Sequence, residues 1–112
     1  MKKLFFLLFM ISFSFGGFID GNELYSKGLE YYKDEIGRRG NYFDIGFYDG
    51  YVVGVVDAYD YILFCPPRNV RAGQVLDIVF KYLQNHPEIR NWPANRIVVK
   101  AIAEIWPCRS RR

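Results

Sequence analysis

Two cysteines, one histidine and a set of acids are the residues of this chain whose types could support chemistry. Cys65 and Cys108 could form a disulfide, or one of them could act as a thiolate nucleophile beside His86. Cys–His catalysis needs a free, activated thiol. A disulfide needs an oxidising compartment. Asp44, Asp49, Asp57 and Asp60 lie close together in sequence, and Glu88 follows His86 by two residues. At helical spacing Asp57 shares its angle with Gly50, while Asp49 and Asp60 point elsewhere. No second acid joins Asp57, so it is expected to be a partly buried, hydrogen-bonded structural acid. His86 is expected at a helix C-terminus facing the dipole, with Glu88 in the same structural turn. One His and two Cys cannot build a His- or Cys-rich metal site. No cofactor site is expected, and no acid, base and nucleophile converge as an enzyme would need.

The choice between thiol and disulfide rests on the N-terminus. Met1-Lys2-Lys3 is cationic, Leu4 to Phe13 is apolar apart from Ser12, and Ser14-Phe15-Gly16 carries small residues at positions −3 and −1 of a cut after Gly16. That is the pattern of a secretory signal peptide. The run is shorter than the roughly 20 apolar residues of a membrane span. Residues 1–16 are read as the signal peptide and 17–112 as the mature domain, with no membrane association after cleavage. Export then predicts a Cys65–Cys108 disulfide, worth about 4 kcal/mol by loop entropy.

Composition bounds the partners. The 112 residues are 51% hydrophobic and 19% aromatic, enough for one domain with a core. The formal charge of +3 comes from the two ends. Without Lys2, Lys3, Arg109, Arg111 and Arg112, acids outnumber bases, so no basic face for nucleic acid is expected.

Four helical segments must position these residues. The first begins after Asn22 as N-cap, carries Leu24, Tyr25, Gly28, Leu29, Tyr31, Tyr32 and Ile36 on one side, and ends at Gly37 to Asn41. The second runs from Tyr42 to Phe64. Its apolar residues surround the axis, which predicts burial on all sides. Gly46, Gly50 and Gly54 recur every fourth residue and are expected to let a neighbouring helix approach closely. Cys65-Pro66-Pro67 stops the segment. The third starts near Ala72 and ends at Asn85 to Glu88; the fourth runs from Pro93 to Trp106. The expected fold is all-α: a small four-helix bundle-like domain stapled by one disulfide between the ends of the second and fourth helices.

The second half carries a family pattern. Gly50-Tyr51-Val52-Val53-Gly54-Val55-Val56-Asp57-Ala58, then Phe64-Cys65-Pro66-Pro67, Gln74-Val75, Tyr82-Leu83, His86-Pro87-Glu88 and Pro107-Cys108 resembles, in order and spacing, the Rap/Tai family of immunity proteins. The resemblance implies a small exported helical protein that neutralises a peptidoglycan amidase effector of type VI secretion in the periplasm. It implies occlusion of the effector's cleft, with no catalysis by the chain itself, and a homodimer as in relatives. Many relatives carry a further cysteine pair, where this chain has Lys27-Gly28 and Asp49. Arg71 stands where relatives often have a capping Thr. A partner of this kind binds through a buried aromatic or Arg anchor, and Trp92, Arg38 and Arg39 are the candidates. The alternative is a general periplasmic binding or stress protein of chaperone type, without a single cognate toxin.

Overall fold

The computed structural model describes residues 17–109, so residues 1–16, expected to be a signal peptide, and the last three residues lie outside it. Among the described residues there are four α-helices: α1 (Gly21–Glu35), α2 (Tyr42–Tyr59), α3 (Ala72–Asn85) and α4 (Ala94–Ile105). A 3-10 turn at Pro87–Ile89 joins the last two. No described helix is long and apolar enough to cross a membrane.

Asp20, rather than Asn22, caps α1, accepting from the Glu23 N–H at 2.9 Å. A tertiary contact moves the start. The Ala94 N–H donates to the Ile19 carbonyl and the Gly21 N–H to the Trp92 carbonyl, both at 2.9 Å. This short antiparallel strap holds Asp20 extended, in the geometry an N-cap needs. At the far end Gly37 takes φ +83°, which favours glycine.

Asn41 caps α2 through the Asp44 N–H at 3.0 Å. The helix stops at Tyr59, five residues before the expected Phe64. Asp57 and Asp60 oppose the helix dipole there, and no base lies in the last turn. Phe64 turns back into the core and is 0% exposed. The Tyr61 N–H donates to the Phe64 carbonyl at 2.8 Å, with Tyr61 at φ +62°.

Burial of α2 differs from expectation. Only Tyr48 and Val52 are buried. Gly46, Gly50 and Gly54 are exposed, and a Cβ added to any of them meets nothing within 4 Å. They pack no neighbouring helix. An apolar set spread evenly around a helix cannot say which side will be covered. The covered side is the one with bulk enough to fill the core, and glycines fill little. Asp57 follows the glycines onto the open side and is exposed, not partly buried. No hydrogen bond to its side chain is present among the described residues.

The close approach occurs instead at Gly28 of α1. A Cβ there would lie 3.0 Å from the Phe80 ring and 3.1 Å from the Tyr48 ring. Tyr48 is fully buried, and its hydroxyl donates to the Leu76 carbonyl at 2.6 Å, leaving no orphaned group. Tyr31 lies beside it, ring centroids 5.2 Å apart, and donates to Asp77 Oδ1 at 2.8 Å. Burial raises the pKa of both phenols, so both remain neutral donors.

α3 and α4 are amphipathic in the ordinary way. Val75, Leu76, Val79, Phe80 and Leu83 face Ala94, Ile97, Val98, Ala101 and Ile102 within one core. Arg71 stands at the N-cap of α3 and has no acceptor to offer. Gln74 Oε1 instead accepts from the Arg71 N–H at 2.8 Å. Arg90 closes the other end of α3. Its Nε donates to the Leu83 carbonyl at 2.7 Å and its Nη2 to the Gln84 carbonyl at 3.1 Å. The guanidinium also lies 3.7 Å from the centroid of the Tyr25 ring, tying α1 to α3. Cys65 and Cys108 form the disulfide, with Cα atoms 4.9 Å apart and a separation of 43 residues. The Cys65 N–H donates to the Trp106 carbonyl at 2.8 Å beside it.

Candidate interaction surface

The polar residues singled out in the sequence fall into separate places. His86 is the C-cap of α3, as expected of a residue facing the helix dipole. Its ring stacks on Tyr82 at 4.2 Å, and its Nδ1 lies 3.0 Å from Glu88 Oε2. That bond holds the Glu88 carboxyl below its ordinary range. The Tyr82 hydroxyl is pushed up to about 12, first by burial and then by its 3.2 Å bond to Glu104. Asp57 belongs to a different place, a cleft lined by α2 and the start of α3. Among the described residues no three His, Cys, Asp or Glu side chains stand together as a metal site. His86 and Glu88 are paired, and both cysteines are in the disulfide. What this arrangement offers is a surface.

The most distinctive part of that surface is the corner after α2. Tyr61, Ile62 and Leu63 are 57%, 68% and 47% exposed in succession. Three neighbouring apolar side chains in water invite a partner. The corner is held from several sides. Phe64 anchors it in the core, Tyr61 Oη donates to the Pro66 carbonyl at 2.7 Å, and the disulfide follows at Cys65. The N–H groups of Ile62 and Leu63 both return to the Tyr59 carbonyl, at 2.9 and 3.0 Å.

A cleft opens on either side of this ridge. One, of about 410 Å³, has Tyr61 in its wall with Val56, Asp57, Asp60, Arg68 and Arg71. The other, of about 400 Å³, has Leu63 in its wall with Tyr59, Trp92, Asn95, Arg96 and Lys100. The first mixes acids with bases. The second is lined by no acid, though Lys100 also reaches Glu104 at 3.1 Å. The Arg96 guanidinium lies 5.1 Å from the Trp92 ring centroid, a cation–π distance.

Trp92 is therefore half-buried in a cleft wall beside the ridge. Arg38 and Arg39 are exposed in the turn between α1 and α2. They stand near exposed Ile36, Tyr42 and Phe43, at the other end of α2. An 18-residue helix separates the two ends by about 27 Å. The two sets of candidate anchors thus lie on different patches. Residues 61–63 escaped the sequence reading because they were placed inside a helix. The signal that could have found them is the pair Asp57 and Asp60, with no Lys or Arg nearby to complement a helix C-terminus.

No relative among curated proteins matches the chain. A family model described as Rap1a immunity proteins matches residues 20–108, from the cap of α1 to the second cysteine of the disulfide.

Proposed function

The chain belongs to the Rap1a immunity protein family, and on that premise we propose that it is exported to the periplasm, binds a peptidoglycan amidase effector of type VI secretion, and blocks that enzyme's cleft. Family membership suggests an immunity function, a protein effector as partner and a protein without catalysis of its own. The finer reading adds the compartment, the effector's chemistry and the surface. Loss of residues 1–16 during export would leave a mature chain starting at Gly17. The homodimer implied by the resemblance is part of the same reading, and sedimentation of the purified chain tests it.

The observation that carries the mode of action is the Tyr61–Ile62–Leu63 ridge. A substrate cleft is concave, and a blocker must present something convex that is already in shape. The ridge is convex between two hollows, apolar at its tip, and anchored by Phe64 and the disulfide. Trp92 and Arg96 in the neighbouring cleft add an aromatic and an arginine, the residue types that dominate binding energy in such contacts.

The test uses the purified oxidised chain and a peptidoglycan amidase effector of type VI secretion. Peptidoglycan hydrolysis is followed with rising amounts of the chain. Stoichiometric inhibition, weakened in Ile62→Asp while the fold is retained, is the expected result. Undiminished hydrolysis at excess chain would refute the reading.

A further inference from the structure

Residues 17–21 run against the start of α4, and one buried atom in that contact lacks a partner. Asn95 Oδ1 is out of contact with solvent and accepts no hydrogen bond among the described residues. Such an atom calls for an explanation, since nearly all buried acceptors are satisfied. Gly17 stands against it. A Cβ on Gly17 would lie 3.3 Å from Asn95 Oδ1 and 3.7 Å from Asn95 Cγ. Gly17 also has φ +90°, where a side chain would be strained. The backbone favours glycine here, and a Cβ would crowd the orphaned oxygen.

The sequence puts the small-residue cut immediately before this glycine. Hydrolysis of the Gly16–Gly17 bond by a leader-removing peptidase consumes one water. It leaves a carboxylate on Gly16 and an α-ammonium on Gly17. That group carries three donors that turn freely, one bond from the Cα that rests against Asn95. An internal amide offers one N–H in a fixed direction.

We propose that leader removal creates an internal ligand: the new Gly17 ammonium donates to Asn95 Oδ1 and locks residues 17–21 onto α4. Processing thereby completes the strap that holds Asp20 in its capping position. It also steadies Asn95, which lines the cleft beside Trp92 and Leu63. The inference rests on the export part of the reading above.

The experiment is a four-way thermal melt of the oxidised protein. One chain begins at Gly17 with a free ammonium, and a second carries Gly-Ser ahead of it. Each is made with Asn95 and as Asn95→Leu. The free start is expected to melt about 4 °C higher with Asn95 in place, and the gap is expected to close in Asn95→Leu. Equal melting of the two Asn95 chains, or a gap undiminished in Asn95→Leu, overturns the proposal. Should Asn95→Leu not fold, Asn95→Asp keeps an acceptor and must keep or widen the gap; a smaller gap overturns it. Intact mass of exported material is expected to begin at Gly17, and any other start overturns the role of processing. If only the immunity reading fails, the amidase is unhindered and the melting gap remains.

Discussion

The two ends of α2 both expose apolar side chains, but they are built differently. At the C-terminal end, Tyr61, Ile62 and Leu63 sit on a corner closed by a buried Phe64 and a disulfide. At the N-terminal end, Tyr42 and Phe43 are 78% and 77% exposed and follow a turn with no covalent tie. That turn is held by noncovalent contacts. The Asn41 N–H donates to Glu30 Oε1 at 3.0 Å, Gly40 packs against the Glu30 carbonyl, and Lys27 reaches Asp44 at 3.5 Å. Here the Lys27 ammonium lies 5.4 Å from the Phe47 ring centroid, and Gly28 sits beneath Tyr48. The contrast teaches that exposure alone does not make a plug. A convex apolar group binds well when its shape is fixed beforehand, because less ordering entropy is lost on docking.

Cutting the covalent tie should show the contrast most strongly. The variant Cys65→Ala/Cys108→Ala is expected to lose about 4 kcal/mol of stability in urea unfolding. An unchanged midpoint would mean that Phe64 and the α4 contacts already hold the corner without the staple.

Next in size is glycine replacement. Gly28→Leu is expected to cost about 3 kcal/mol, because a side chain there must displace two buried rings. Gly54→Leu is expected to leave stability unchanged or raise it by up to about 1 kcal/mol, since its Cβ enters open space and glycine is a poor helix former. Equal costs at the two sites in a denaturant series would show that α2 has a neighbour on its open face.

The two apolar ends should then separate in binding. Ile62→Asp is expected to weaken effector binding by about 2 kcal/mol, near 30-fold. Phe43→Asp is expected to change it less than about 3-fold. Titration calorimetry decides, and the reverse ranking would move the blocking surface to the Arg38-Arg39 end.

Acid should have the smallest effect. Glu30 is held low by Lys33 and the Asn41 N–H, Glu88 by His86, and Glu104 by Lys100. A carboxyl lowered by folding contributes stability above its unfolded pKa and loses it as pH falls through the folded value. Glu88 and Glu104 are exposed and Glu30 is half-buried at the surface, so solvent screens their contributions. Melts between about pH 6 and about pH 3 are expected to show a shallow decline with native far-UV signal retained. Cooperative opening with binding of unfolded clients at low pH would favour the chaperone-type alternative and a mobile corner.

The legible part of the fold was the part written locally. Gly37, Pro66-Pro67 and His86-Pro87 placed the helix stops within a few residues, because these residue types restrict the backbone wherever they stand. Two cysteines behind an export-type leader predicted the staple. The apolar stripes of α3 and α4 showed their buried faces, since each has one. α2 did not, because its apolar residues are spread around the axis, and Gly46, Gly50 and Gly54 were read as a contact that is in fact open to solvent. The candidate surface was the least legible. Trp92 and the two arginines were chosen by residue type alone, and the ridge beside Trp92 was hidden inside an assumed helix.

The sequence by itself determined an all-helical chain with one covalent tie and the pattern of an immunity family, because periodicity, breakers and cysteines act over a few residues or by compartment. Tertiary structure alone decided where α1 begins, where α2 ends and which side of α2 faces water. Each of those turns on a contact between residues distant in sequence: Trp92 with Gly21, Phe64 with the core, and Gly28 with Tyr48 and Phe80. Local preferences are too weak and too evenly spread to settle such choices before the core closes.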